Sequence, residues 1–549
     1  MSFGAQIAPD YEAEAEASSS SSSFSSDNED QRDRRESLSG APPTSNIEKI
    51  ETAHEGQEPR PSPLRQGRSS SSAVLPVPVG FWHWEMNGVR LHVLQLWMRT
   101  NLILAIAILA FLCLFWGVLF NQNKLSTSIK VWVVDFDGQI APYLNEIPLV
   151  GPVVTGSVQK LIDSRGIHPG YTFRSPVDFA NDPMQVRESV YNQDAYAAVI
   201  INANATALLR AAVEQGNTTY DPKGAGQVIL NSARDQATSS SYIVPSITAL
   251  QSLITLEFGS LWVPSVLQNG SISTATLGTV PQALSPGIAF TIYDLRPFGP
   301  PVATPAVSIG LIYLIIVSFF SFTFFLPIHM KYITPKGHPP LHFYQLIIWR
   351  WAATVVSYCL LSCVYSLVSL AFLMPMSNLP ASHTEPAINP NAYHHGTFVV
   401  YWMINFVAMA AFGLACENMA MFLGTPWTAL WLIFWVISNV ATGFYALPQA
   451  SRFYRWGYAW PMHNVVEATR STLFDLHPRI GLNFGILFAW CAIDTVLFPF
   501  ACYYMRWRTI REKKLAAKKE AEWQAKMQKE KDEPSLFTRV TTRGSPPER

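Results

Sequence analysis

The spacing of its long apolar stretches constrains this chain most. One runs over Leu102–Phe120, a polar, soluble-looking segment follows to about residue 304, and five more are packed between Val307 and Met505. About 20 apolar residues are what an α-helix needs to cross the hydrocarbon core, where only helices and closed barrels satisfy their own backbone hydrogen bonds. The sequence therefore reads as a polytopic α-helical membrane protein with six transmembrane helices. They are expected at about Leu102–Phe120, Val307–Pro327, Leu346–Met374, Phe398–Phe422, Ala429–Leu447 and Leu482–Met505. Gly424-Thr425-Pro426 leaves only a few residues between the fourth and fifth, which predicts a tight helical hairpin.

Five divisions follow: a disordered cytoplasmic tail (1–90), an interfacial segment with helix 1 (91–120), an extracytoplasmic α/β domain (121–304), a five-helix membrane domain (305–505) and a basic cytoplasmic tail (506–549). Equal numbers of basic and acidic residues, 39 each, conceal an acidic, serine-rich beginning and a basic end. The run Ser18–Ser26 and the Pro/Ser/Arg mixture of Arg60–Ser72 carry too little apolar surface to offset ordering entropy. Within that tail, Arg34-Arg35-Glu36-Ser37 makes Ser37 a phosphorylation candidate, beside the plainer reading of a solvated charge cluster. Phe81-Trp82-His83-Trp84, with Arg90 and Arg99, forms an aromatic and basic approach to the membrane.

Lys and Arg near the span ends orient the chain. Arg90 and Arg99, then Lys331, Lys336 and Arg350, then Arg506, Arg508, Arg511, Lys513 and Lys514 fall on one side of a six-span layout, which places both termini in the cytoplasm. The three N-x-S/T sequons, at Asn204, Asn217 and Asn269, all lie in the segment placed outside, as expected of a glycoprotein of the plasma membrane or secretory route. The segment Pro448–Ile480 conflicts with this, because it should be external yet carries Arg452, Arg455, Arg470 and Arg479. Either the last segments insert differently, or this is a partly buried re-entrant element whose arginines pair locally, as Glu467 and Arg470 could at i,i+3 on a helix.

Between the first and second spans, Lys130–Phe136, Tyr196–Ile201 and, more weakly, Gln227–Leu230 are β-rich. Helix-like stretches at Val153–Ser164, Pro183–Asn192, Thr206–Gln215 and Ser239–Leu267 alternate with them. That alternation predicts an α/β layered domain. Its core needs no disulfides, since all six cysteines fall in the expected spans.

Asp135-Phe136-Asp137-Gly138 pairs two acids that could hold a divalent cation, but strand-to-turn chemistry explains it better because the later EF-hand ligands are missing. His383, Glu385, His394 and His395 match no four-ligand zinc spacing and are expected in a solvated loop; no metal site or cofactor is expected. Within the spans, Glu417, Asp494, Asn405 and Asn439 are polar groups in an apolar setting, readable as a substrate-facing seam or as hydrogen-bond glue between helices. The tail Arg506–Lys531 reads as a charged helix that attracts anionic lipid or simply anchors the inside face. There is no G-x-x-x-x-G-K-[ST] loop and no G-x-S-x-G elbow, and the outer domain holds one histidine, His168, so no enzyme is expected. Membrane lipids are the expected partner, and nucleic acid is not.

Val131-Trp-Val-Val-Asp-Phe-Asp-Gly138, Asp194-Ala-Tyr-Ala-Ala-Val-Ile-Ile201, Ala446-Leu-Pro448 and Tyr458-Ala-Trp-Pro461, in the one-plus-five span layout, resemble the fungal nitrosoguanidine-resistance membrane protein family. That architecture is similar to the membrane subunits of type-two ABC exporters. The resemblance covers about Leu91 to Met505 and implies a role in tolerance of toxic small molecules, by moving amphipathic compounds or lipids. It also implies a separate ATPase or partner membrane protein, admits a dimer, and transfers no catalytic residue. The alternative is a non-transporting regulator of phospholipid asymmetry or of partner transporters, acting through the outer domain and tails.

Overall fold

The computed structural model describes residues 80–532 apart from 165, 271, 332–336, 338 and 340, so Ser37 and the N-terminal tail lie outside the described residues. Helix α1 (Asn87–Leu119) starts well before the first apolar stretch, so the basic approach to the membrane forms its opening turns. The sheet domain, called the outer domain after the side expected for it, then follows as β1 (Lys130–Asp135), α2 (Val150–Asp163), β2 (Gly170–Arg174), α3 (Pro183–Tyr191), β3 (Ala197–Ile201), α4 (Ala205–Gln215), β4 (Gly226–Leu230), α5 (Val244–Gln268) and β5 (Phe290–Asp294).

These strands make one five-stranded sheet in the order β2-β1-β3-β4-β5, with β3 and β4 antiparallel and the other neighbours parallel. Both faces are covered. Val131, Val133, Val199 and Val228 pack beneath α2, α4 and α5, whereas Val134, Ala198, Ile200 and Ile229 pack against Val186 and Val190 of α3. That is why the central strand β3 is apolar without alternation and buried throughout. The α/β expectation is met. The two outermost strands, β2 and β5, carry no strong apolar run in the sequence, because an edge strand is shielded on fewer sides and tolerates Thr and Arg.

Beyond the sheet come α6 (Ile309–Met330), α7 (Phe343–Ala371), α8 (Thr397–Leu423), α9 (Trp427–Gly443), α10 (Pro461–Phe474) and α11 (Ile480–Asp532). Six helices in the described residues are long and apolar enough to cross a membrane: Asn87–Leu119, Gln236–Gln268, Ile309–His329, Phe343–Ala371, His394–Leu423 and Ile480–Lys526. This set differs from the expected one at two places. Gln236–Gln268 contains α5, whose Ile247, Leu250, Ile254, Phe258 and Trp262 belong to the sheet's core, and whose Glu257 pairs with Lys160 of α2 at 2.9 Å. We assign it to the outer domain, since its two flanking strands lie side by side in the sheet. The expected fifth span is α9, whose 17 residues rise about 25 Å, at the short end of the range that crosses the hydrocarbon core.

Helix α8 is the axis of the bundle: 67% of its most apolar stretch is buried, against 11% for α1, whose apolar side chains face outward as lipid-facing residues do. Its small residues permit this crowding, and a Cβ on Gly413 would collide with the Tyr358 hydroxyl of α7. The predicted hairpin follows, with Gly424 at φ 68°. Arg508 of α11 closes the end of α8 by donating to the carbonyls of Phe422 (3.3 Å) and Leu423 (2.8 Å).

Candidate functional site

The four polar residues expected in the spans do not converge on one cavity. Each closes onto a neighbouring helix. Glu417 of α8 pairs with Arg350 of α7 at 2.5 Å, and the same guanidinium lies over the rings of Phe322 and Phe498. Arg350, counted from the sequence among the loop charges, is thus buried in the bundle. On the next residue, Asn418 Nδ2 donates to the Asp494 carbonyl (2.9 Å) and carboxylate (3.2 Å) of α11, leaving Asp494 Oδ2 without a partner. Asn405 donates to Ser366 of α7 at 2.9 Å. Asn439 accepts from the Met462 amide at 3.1 Å and so caps the first turn of α10. The polar groups link α8 to α7, α8 to α11 and α9 to α10.

In the outer domain Asp137 is fully buried at the end of β1 and caps two helices. It accepts from the Gly151 amide of α2 (3.1 Å), the Thr206 amide of α4 (3.0 Å) and the Thr206 hydroxyl (2.5 Å). The turn reading of the D-F-D-G segment thus has a structural basis, and among the described residues no group of three or more His, Cys, Asp or Glu could hold a metal ion. Burial pushes the Asp135 carboxyl up to about 6; the Asp137 amide bond works against that rise, while the Asp137 charge adds to it. Of the sequons, Asn217 and Asn269 are exposed, whereas Asn204 is half-buried at the start of α4 with its Thr206 buried in the Asp137 network.

The loop holding His383 and Glu385 leaves both side chains exposed, as expected, while its backbone is docked onto the sheet domain. His383 stacks on Tyr191 of α3 at 4.1 Å between ring centres, and Arg187 donates to the Thr384 carbonyl at 3.0 Å. The centre of this docking is Arg296, completely buried just after β5. Its guanidinium reaches the Asp475 carboxylate (3.2 Å) and carbonyl (3.1 Å) at the end of α10 and the carbonyls of Ala381 (3.3 Å), Ser382 (3.1 Å) and Glu385 (3.2 Å). One side chain thereby ties the sheet, the α7–α8 loop and α10 together. Nothing local marks Arg296 in the sequence; apart from the adjacent Leu295 carbonyl, its hydrogen-bond partners are about 80 to 180 residues away.

The segment Pro448–Ile480, whose arginines conflicted with an external position, forms the other half of this junction. Its helix α10 rises only about 21 Å, too short to span, and packs among α8, α9 and α11. The expected Glu467–Arg470 pair does not form. Glu467 instead lies 3.4 Å from His463, and Arg470 donates to the Arg234 carbonyl at 2.8 Å in the turn after β4. Burial pushes the Glu467 carboxyl up, but the His463 hydrogen bond and the charges of His463, Arg479 and Arg234 outweigh it and hold the group below its usual value, so it is ionised.

Between the outer domain and these elements lies a partly open cavity of about 140 Å³. The sheet side contributes Tyr196, Arg234 and Asp235, the bundle side Glu467, Arg470, Arg479 and Asn483, and residues Gly443 to Pro448 complete the wall. From the sequence, Arg470 and Arg479 stand out as charges of a partly buried element and Glu467 as a partner for Arg470, whereas Arg234, Asp235 and Asn483 do not stand out. The available signal was that arginines in a segment too polar for lipid and too basic for its side must face something.

A family model described as "Protein of unknown function (DUF3533)" matches residues 100–496. A Saccharomyces cerevisiae protein named as an uncharacterized endoplasmic reticulum membrane protein is 26% identical over 490 residues, covering 86% of this chain and 91% of its own length. No solved structure matches the chain. The family match runs from within α1, across the whole outer domain, and through the bundle into α11. The protein is an integral membrane protein and belongs to the DUF3533 family.

Proposed function

We propose that this chain is a transporter-like membrane protein that supports resistance to toxic small molecules of the nitrosoguanidine type by moving amphipathic compounds or lipids. The observation that carries this reading is the polar, partly open cavity walled on one side by the outer domain and on the other by α10 and α11. A site at such a junction can hold a polar headgroup while leaving an apolar body beside the helices. The chain sits in a membrane of the plasma membrane or secretory route with both termini cytoplasmic. The printed location of the yeast relative supports the secretory side, and exposed Asn217 and Asn269 support an outward-facing sheet domain. Without a Walker loop, movement against a gradient draws on a separate ATPase or partner membrane protein.

A second reading is favoured by one specific observation. The buried polar groups of the bundle close in pairs between helices, which suits a static bundle that regulates lipid asymmetry or a partner transporter. The test is a cell lacking the gene, complemented by the full chain, scored for nitrosoguanidine tolerance and for movement of fluorescent lipid, with purified protein in vesicles assayed in parallel. Tolerance with flux in vesicles, alone or with an added ATPase, supports transport. Tolerance with no flux in any reconstitution supports the regulator, and no change in tolerance refutes both.

A further inference from the structure

Three guanidinium groups from distant parts of the chain meet in the junction cavity: Arg234 after β4, Arg470 in α10 and Arg479 just before α11. Two carboxylates share its wall, and both are engaged. Asp235 accepts from the amide (3.2 Å) and hydroxyl (2.8 Å) of Thr238, and Glu467 is held by His463. Three guanidinium groups against two carboxylates leave one positive charge in excess, and most of the guanidinium N–H groups meet no protein acceptor. Arg234 spends one N–H on the Ala195 carbonyl at 2.8 Å and lies 3.9 Å over the Tyr196 ring, which fixes its plane. Arg470 spends one on the Arg234 carbonyl.

The polar groups left over are buried. Arg470 Nε has no partner, and Asn483, 1% exposed in the first turn of α11, has neither its amide nitrogen nor its amide oxygen bonded. Buried donors without acceptors are costly and rare, so a wall carrying two of them, Arg470 Nε and Asn483 Nδ2, suits an occupant rich in acceptor oxygens. Guanidinium forks match phosphate and carboxylate oxygens, and three of them around one space suit an oxyanion that faces more than one at once. The cavity also adjoins the end of α9 and the start of α11, the depth at which headgroups meet water.

We propose that this cavity is an oxyanion site for the phosphate-type headgroup of an amphipathic molecule, with Arg234 and Arg470 as its inner donors and exposed Arg479 as its rim. The proposal deepens the transport reading and rests on it for the identity of the amphipathic body, but binding of the oxyanion can be measured without transport.

The experiment uses the full chain in nanodiscs of phosphatidylcholine, its thermal unfolding followed by tryptophan fluorescence. One arm adds inorganic phosphate at constant ionic strength, and the other replaces part of the lipid with phosphatidylserine. The expected result is a raised unfolding temperature in at least one arm. A rise with phosphate alone identifies a free solute ion as sufficient, and a rise only with phosphatidylserine identifies the lipid headgroup. Arg479→Gln, which removes an exposed side chain and leaves the fold intact, weakens the effect by about tenfold or more. Arg452→Gln, exposed and outside the cavity, leaves it unchanged. No rise in either arm, or a rise that Arg479→Gln and Arg470→Gln alter no more than Arg452→Gln does, overturns the proposal. If binding is lost in Arg479→Gln while cells carrying it keep full tolerance, the oxyanion site stands and the transport reading fails.

Discussion

Replacing Arg296 with Met tests whether one buried guanidinium holds the outer domain to the bundle. Methionine fills much of the same volume but removes every N–H that now reaches Asp475, Ala381, Ser382 and Glu385, as well as the 2.8 Å bond to the Leu295 carbonyl. The Asp475 carboxylate keeps only the Ala381 amide at 3.0 Å. Removing one member of a buried ion pair costs about 3–5 kcal/mol, because the other charge stays buried without its partner. Opening of the 378–391 loop should then become at least about 100-fold more frequent, since each 1.4 kcal/mol is a factor of ten. Limited proteolysis of the full chain in detergent reads that loop directly, and the thermal midpoint reads the domain attachment. Adding Asp475→Asn removes the stranded charge and keeps a residue that tolerates the left-handed backbone at this position (φ 49°). The double variant should therefore recover part of the loss. A loss below about 1 kcal/mol in Arg296→Met, or strictly additive effects in the double variant, would refute the reasoning.

Three further outcomes are expected. Asp135, with its carboxyl pushed from 3.8 up to about 6, keeps a proton in the folded chain that the unfolded chain has released, so its contribution to stability falls as pH rises from about 4 to 6. Asp135→Asn should accordingly stabilise the outer domain by up to roughly 3 kcal/mol at pH 7.5 and by almost nothing at pH 4, and equal melting of variant and parent at pH 7.5 would contradict this. In the bundle, Glu417→Gln alone should cost about 3–5 kcal/mol by stranding Arg350, whereas Glu417→Gln with Arg350→Met should recover most of it in a detergent melting assay. Glycosidase treatment should shift the protein through Asn217 and Asn269, one step each, and removing Asn204 should change nothing; a full shift surviving Asn217→Gln with Asn269→Gln would place the sugar elsewhere.

Much of the architecture was legible because its causes are local. Apolar length marks α6, α7, α8 and α11 as spans, and the β-branched runs at Lys130–Asp135 and Ala197–Ile201 mark two of the sheet's inner strands. The same criterion cannot separate a membrane helix from one buried under a sheet, which is why α5 is apolar and long enough for either role. It also undervalues α9 and α10, which are short and pack on each other and on the neighbouring helices.

The site was legible only in outline. Polarity inside a span singled out Glu417, Asp494, Asn405 and Asn439, yet whether such groups line one path or close in pairs depends on helix rotation, which composition does not encode. Taken by itself, the sequence determined that this is a membrane chain with an α/β domain between its first and second spans, since burial of apolar residues and backbone satisfaction in lipid leave few alternatives. Only the tertiary structure decided that Arg296 locks that domain to the bundle and that Arg234, Arg470 and Arg479 share one cavity. The reason is that hydrophobic periodicity acts over a few residues. Charge convergence instead depends on where strands and helices hundreds of residues apart finally pack.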